Sequence, residues 1–160
     1  MRYMLKQKIW SWGDDYVIRD ANEEPAFLVD GKVFSWGDKL SFQDMNGNEL
    51  AFISQKLLTF MPKYELYRSG QLFAEIKKEW SWFKCKFTLD VPGPNDYEIT
   101  GSFWDMEYEF RRSGRQVAVV SKNFWSWSDT YGVDIDAGED DVAVIATVIV
   151  IDLVCHDNDD

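Results

Sequence analysis

Cys85 stands between Lys84 and Lys86, an arrangement that would activate a nucleophile, because flanking ammonium groups lower the pKa of an exposed thiol. The competing reading is a small hydrophobe on the inner face of a strand, and the surrounding pattern favours it. Cys155 is the only other cysteine, and His156, beside it in a polar tail, is the only histidine. Counts this low leave no basis for a Cys/His zinc site or for histidine acid–base chemistry. Neither a G-x-S-x-G elbow nor a phosphate-cradling glycine loop occurs. The sequence therefore predicts no catalytic residue, and a binding or scaffold module in place of an enzyme.

Aromatic rings are the other side chains able to bind something. Trp10-Ser11-Trp12, Phe34-Ser35-Trp36, Trp80-Ser81-Trp82 and Trp125-Ser126-Trp127 share a tripeptide, with weaker copies at Leu58-Thr59-Phe60 and Ser102-Phe103-Trp104. The last residues, 12, 36, 60, 82, 104 and 127, recur every 22 to 24 positions. One unit is thus used six times. Rings such as Trp12 and Trp127 would stack on a sugar or a lipid if they faced outward. Their repetition at equivalent places predicts instead a structural girdle at the ends of the fold.

Each unit reads as strand, turn, strand. Leu40 and Phe42, then Leu50 and Phe52, alternate with polar residues on either side of Asn46-Gly47-Asn48, a turn that tolerates positive φ. Tyr64, Leu66 and Leu72, Ala74, Ile76 flank Ser69-Gly70, and Met106, Tyr108, Phe110 and Val117, Val119 flank Ser113-Gly114. The remaining turns run through Ala21–Pro25 and Val91–Asn95. Twelve strands are expected, from Tyr3 to about Ile135.

The last segment departs from this rule. From Val142 to Ile151 only Thr147 interrupts an apolar run, and Asp152, Leu153, Val154 and Cys155 follow. The β-branched residues favour a strand, each costing a few tenths of a kcal/mol in a helix, yet burial returns about 1.5 to 3 kcal/mol per side chain. The run is long for a strand, no turn divides it, and Gly138-Glu139-Asp140-Asp141 suits a helix N-terminus. A helix over about 140–155 is predicted, ahead of an acidic tail, 156–160. Being apolar on every side, it needs apolar surroundings. At about 1.5 Å per residue its apolar run, 142–155, spans roughly 21 Å, short of a ~30 Å hydrocarbon layer. Twelve strands closing on themselves leave a lumen too wide for their own side chains, and the helix would plug it.

The 160 residues suit one domain, 1–160, burying roughly 70% of its unfolded surface. Residues 1–122 hold all 17 Lys and Arg against 18 acidic residues, while 123–160 hold none against 10. That acidic quarter repels phosphate backbones, so no nucleic-acid partner is expected. Two cysteines make no disulfide framework, and no signal-peptide pattern opens the chain, which points to the cytoplasm.

The hairpin repeat, the segment Ser126-Trp127-Ser128-Asp129-Thr130-Tyr131-Gly132-Val133-Asp134-Ile135 and the apolar run Asp141–Val154, in this order, resemble the LURP-one-related proteins. These share a superfamily with phospholipid scramblases and the tubby C-terminal domain. The resemblance covers residues 2–156 and implies a mainly β fold: a closed twelve-stranded antiparallel β-barrel enclosing a hydrophobic C-terminal α-helix. It does not fix an activity, since the members differ in what they do.

Two binding functions are implied. Tubby domains bind phosphoinositide head groups through Lys and Arg, which would make the protein a peripheral module on anionic phospholipid. The nearest basic candidates in this sequence, without a residue-by-residue match to the tubby site, are Lys77, Lys78, Lys84, Lys86, Arg111, Arg112 and Arg115; interleaved Glu75, Glu79, Glu107 and Glu109 give the alternative of solvated gatekeeping charges. The alternative is a calcium-dependent phospholipid scramblase-like protein: scramblases have a proposed Ca²⁺ site in the acidic segment before the helix, a stretch occupied here by Asp129, Asp134, Asp136 and Glu139 together with Asp140 and Asp141. Calcium takes six to eight oxygens, which carboxylates at this spacing supply in part. The segment does not match an EF-hand loop, and helix capping with a solvated acidic rim is the alternative. No other cofactor, no identified protein partner and a monomer are expected.

Overall fold

The computed structural model describes residues 1–6, 15–34, 37–80, 85–125 and 129–156. The apolar alternation becomes twelve strands: β1 (Arg2–Lys6), β2 (Tyr16–Asp20), β3 (Pro25–Phe34), β4 (Gly37–Asp44), β5 (Glu49–Gln55), β6 (Lys63–Arg68), β7 (Gln71–Trp80), β8 (Cys85–Asp90), β9 (Tyr97–Ser102), β10 (Glu107–Arg112), β11 (Arg115–Ser121) and β12 (Thr130–Ile135). Each pairs antiparallel with its sequence neighbours, and β1 closes on β12 through Arg2↔Asp134 to Lys6↔Thr130. The sheet is a closed barrel with no free edge.

Even-numbered strands end at one rim, where tight hairpin turns such as Asp44–Asn48 return the chain. Asp44 organises that turn by accepting from the backbone amides of Asn46 and Asn48, both at 2.9 Å. Odd-numbered strands end at the other rim. We call these the turn rim and the loop rim.

Helix α1 (Asp141–His156) fills the lumen. Val144, Ile145, Ala146, Thr147, Val148 and Ile149, which cover every side of the helix, are each 0% exposed. They meet Ile18, Val29, Phe42, Ile53, Leu66, Ile76, Leu89, Ile99, Phe110 and Val133 of the wall. Burial from all directions decides between helix and strand here, because the barrel has already used its strand partners. Thr147 satisfies its hydroxyl within the helix by donating to the carbonyl of Ala143 at 2.8 Å.

Four hairpins differ from simple alternation. In the pairs β2–β3, β4–β5, β6–β7 and β10–β11 the register shifts just after the turn, leaving Ala26, Leu50, Phe73 and Val117 as extra residues. These are β-bulges, each inserting one residue opposite none. Ala51 and Ile53 therefore face inward instead of Leu50 and Phe52, Val120 is buried instead of Val119, and Leu72 lies half-exposed. The extra residues turn toward the core at the turn rim, around the entrance of α1.

Candidate functional site

The turn rim is built to hold the helix. Asp140 caps α1: its Oδ1 accepts from the Ala143 amide at 3.1 Å, and its carbonyl accepts from Val144 at 3.0 Å. Three consecutive acids are then each gripped by the wall. Glu139, its side chain 2% exposed, accepts from Arg112 at 2.6 Å and from the Tyr97 hydroxyl at 2.8 Å, with Arg115 at 3.7 Å. Asp140 pairs with Arg68 at 2.6 Å, and Asp141 accepts from the Tyr3 hydroxyl at 2.6 Å. The guanidinium groups also stack on rings, Arg68 over Phe73 at 4.4 Å and Arg112 over Tyr97 at 5.4 Å. Planar donors that stack and pair at once are the property that separates arginine from lysine. Burial, reinforced by Glu139, pushes the Tyr97 hydroxyl up to about 12. A small open cleft of about 330 Å³, lined in part by Phe73, Pro92, Tyr97 and Glu139, lies beside this cluster.

The candidate calcium ligands are not assembled. Glu139 is engaged as above, and Asp134 pairs with Arg2 at 3.2 Å on the outer face of β12. Asp136 lies in the turn after β12, while Asp129 precedes β12 at the loop rim, roughly 16 Å from Asp134 along the strand. Among the described residues no group of three or more His, Cys, Asp or Glu is placed to hold a metal ion.

The candidate phosphate ligands divide between the rims. Arg111, Arg112 and Arg115 flank the turn between β10 and β11; Arg111 pairs with Glu109 at 2.8 Å, and Arg112 and Arg115 serve Glu139. Lys77 bridges Glu75 and Asp90, both at 3.4 Å, and Lys86 pairs with Glu79 at 3.4 Å on the outer wall. Lys84 lies outside the described residues. Lys78 differs from the others: it shares the inward-facing parity of Ala74 and Ile76, and it looks into the mouth of the barrel at the loop rim. There it joins Cys85, Tyr108 and Cys155 in lining an open cleft of about 1030 Å³. Burial pushes the Cys85 thiol up, and the charge that opposes this comes from Lys78, not from its sequence neighbours. Cys85 is thus a protonated, inward-turned residue.

The loop rim also carries what sequence reasoning placed in a structural girdle. Leu58 and Phe60 are fully exposed, Trp80 is 75% and Trp104 59% exposed, and Leu57 projects beside them. Only Phe103 and Met106 of this rim's apolar residues in the β9–β10 connection turn inward, Phe103 packing on Phe87 at 4.9 Å and on Tyr108 at 5.1 Å. The tripeptide residues Trp10, Trp12, Trp36, Trp82 and Trp127 lie outside the described residues.

The sequence profile of the family described as LURP-one-related matches residues 1–152. This chain belongs to the LURP-one-related family. A Bacillus subtilis (strain 168) relative named uncharacterized protein YxjI is 35% identical over 156 residues, covering 98% of this chain and 94% of YxjI. The X-ray structure of a protein from Arabidopsis thaliana superposes on this LURP-one-related chain with a TM-score of 0.64 at 19% identity, covering 94% of this chain and 88% of the plant protein. That likeness concerns the fold alone. Among the described residues no helix is long and apolar enough to cross a membrane.

Proposed function

We propose that this LURP-one-related protein is a non-enzymatic binding module that docks on anionic phospholipid head groups at a membrane surface, through its loop rim. One observation carries the reading: the two basic residue types are separated along the barrel. All described arginines, Arg2, Arg19, Arg68, Arg111, Arg112 and Arg115, sit at the turn-rim ends of their strands. Lys6, Lys39, Lys56, Lys63, Lys77, Lys78, Lys86 and Lys122 lie in the loop-rim halves of theirs or in the adjoining connections. The arginines at the helix entrance are consumed by structural pairs, and Lys63, Lys77 and Lys86 pair with acids on the outer wall, so Lys6, Lys39, Lys56, Lys78 and Lys122 carry the attraction. Several acids of the loop rim are satisfied within the protein: Asp38 accepts from Tyr64 at 2.9 Å, Asp105 from Ser102 at 2.6 Å, and Glu107 from the Lys122 amide at 3.0 Å.

A lysine close to an anionic bilayer contributes about 1 kcal/mol, so a handful gives reversible, salt-sensitive association. The calcium reading draws no comparable support, because Asp134 and Glu139 are committed to arginines.

Sedimentation with phosphatidylcholine vesicles, with and without phosphatidylserine or a phosphoinositide, tests the proposal. Binding is expected only with the anionic lipid and should weaken with added salt. Failure to bind at low ionic strength, or equal binding to neutral vesicles, would reject it.

A further inference from the structure

Electrostatic attraction leaves the exposed apolar residues of the loop rim without a role. Leu57, Leu58 and Phe60 in the β5–β6 connection, Trp80 at the end of β7 and Trp104 in the β9–β10 connection project from separate elements at one end of the barrel. They form a continuous arc. Phe60, Met61, Lys78, Glu79 and Trp80 share one open groove, and Lys78, Trp80 and Trp104 share the cleft beside it.

We propose that this arc inserts into the interfacial layer of an anionic membrane, so that the barrel stands on its loop rim with the C-terminus of α1 toward the bilayer. The proposal rests on the lipid-docking reading above and names the residues that penetrate. Residue chemistry selects a bilayer over a protein partner. Tryptophan and phenylalanine interleaved with lysine suit the boundary between head groups and acyl chains, where rings bury their bodies and ammonium groups reach the phosphates. Protein interfaces deplete lysine, whereas this rim collects it. Charge also sets the orientation: Glu139, Asp140 and Asp134 are matched by arginines, but Glu23, Glu24, Asp44, Asp96 and Asp136 also lie about the turn rim and keep that end away from the surface.

The test is partition onto phosphatidylserine-containing vesicles for the full chain and for Leu58→Ser, Phe60→Ser and Leu72→Ser. Leu58 and Phe60 are fully exposed, so unchanged melting curves are expected for their variants. Each should weaken partition about tenfold or more, while Leu72→Ser, on the turn rim, leaves it unchanged. Vesicles with brominated acyl chains should quench the tryptophan emission of the full chain, and Trp80→Phe and Trp104→Phe should reduce that quenching. If the vesicles bind but Leu58→Ser and Phe60→Ser bind equally well, insertion is overturned and head-group docking stands. If instead these variants convert a dimer to a monomer with lipid binding intact, the arc is a contact between copies of the chain, and insertion is again overturned. No vesicle binding by any form would remove the docking reading and this inference together.

Discussion

Glu139 is a carboxylate held out of water by two strand residues, Arg112 and Tyr97, and its neighbours Asp140 and Asp141 are held by Arg68 and Tyr3. Removing Arg112 would leave a buried charge without its main partner, whereas Arg111 pairs with Glu109 in solvent. Arg112→Ala should therefore cost about 2 kcal/mol or more, and Arg111→Ala about 0.5 kcal/mol or less, as measured by urea unfolding. Tyr97 gives a second, pH-dependent signature. Its folded hydroxyl is raised to about 12 from an ordinary 10, so its stabilisation is complete below about pH 10 and is lost as pH rises toward 12. Melting temperature should fall across that window, and Tyr97→Phe should make the fall shallower. These acids were visible in the sequence as a cap and as possible metal ligands. What was hidden is that their partners lie on distant strands: Arg68 is 72 positions from Asp140, and Tyr3 is 138 from Asp141.

At the scale of elements, the number of strands, their pairing order and the helix over residues predicted as 140–155 all follow from the repeat and the apolar run. The inward phase of several strands does not. Leu50-Ala51-Phe52-Ile53, Leu72-Phe73-Ala74 and Val117-Ala118-Val119-Val120 are apolar on both faces, so alternation cannot choose between them. The bulges after the turns make the choice, placing Leu50, Phe73 and Val117 about the helix entrance. A related constraint sits between β9 and β10. Gly101 pairs with Tyr108 at φ +142°, and a Cβ there would meet the Tyr108 Cα and the Glu107 carbonyl oxygen at 2.6 Å. Gly101→Ala should accordingly be strongly destabilising, while Gly47→Ala, in an open turn at φ +85°, should cost only about 1–2 kcal/mol. On α1, Ile149→Ala should cost about 2–5 kcal/mol because the surrounding wall, already paired on both sides of every strand, has little freedom to collapse into the void. Thermal or chemical denaturation of the three variants gives the comparison.

The whole molecule is polarised. One rim anchors α1 with arginines and acids, and the other gathers lysines and exposed rings; the repeat that revealed the fold marks this second rim. From the sequence, Phe60, Trp80 and Trp104 looked structural because they recur at equivalent places. They recur because every odd strand ends at the same rim, and Phe60, Trp80 and Trp104 project from it while Phe103 packs inward. The lysine–arginine separation was equally present in the sequence, but only the strand directions turn it into a geometric fact. His156 ends α1 at the loop rim, and Asp157, Asp159 and Asp160 follow it, so deleting residues 157–160 should strengthen binding to anionic vesicles, most visibly at low salt. The most direct measurement of the polarity itself is amide hydrogen exchange of the full chain with and without phosphatidylserine vesicles. Protection is predicted in residues 56–62 and 103–106, with exchange unchanged at the turns 21–24, 45–48, 69–70 and 113–114. Protection at those turns, or at neither rim while vesicles are bound, would contradict the account.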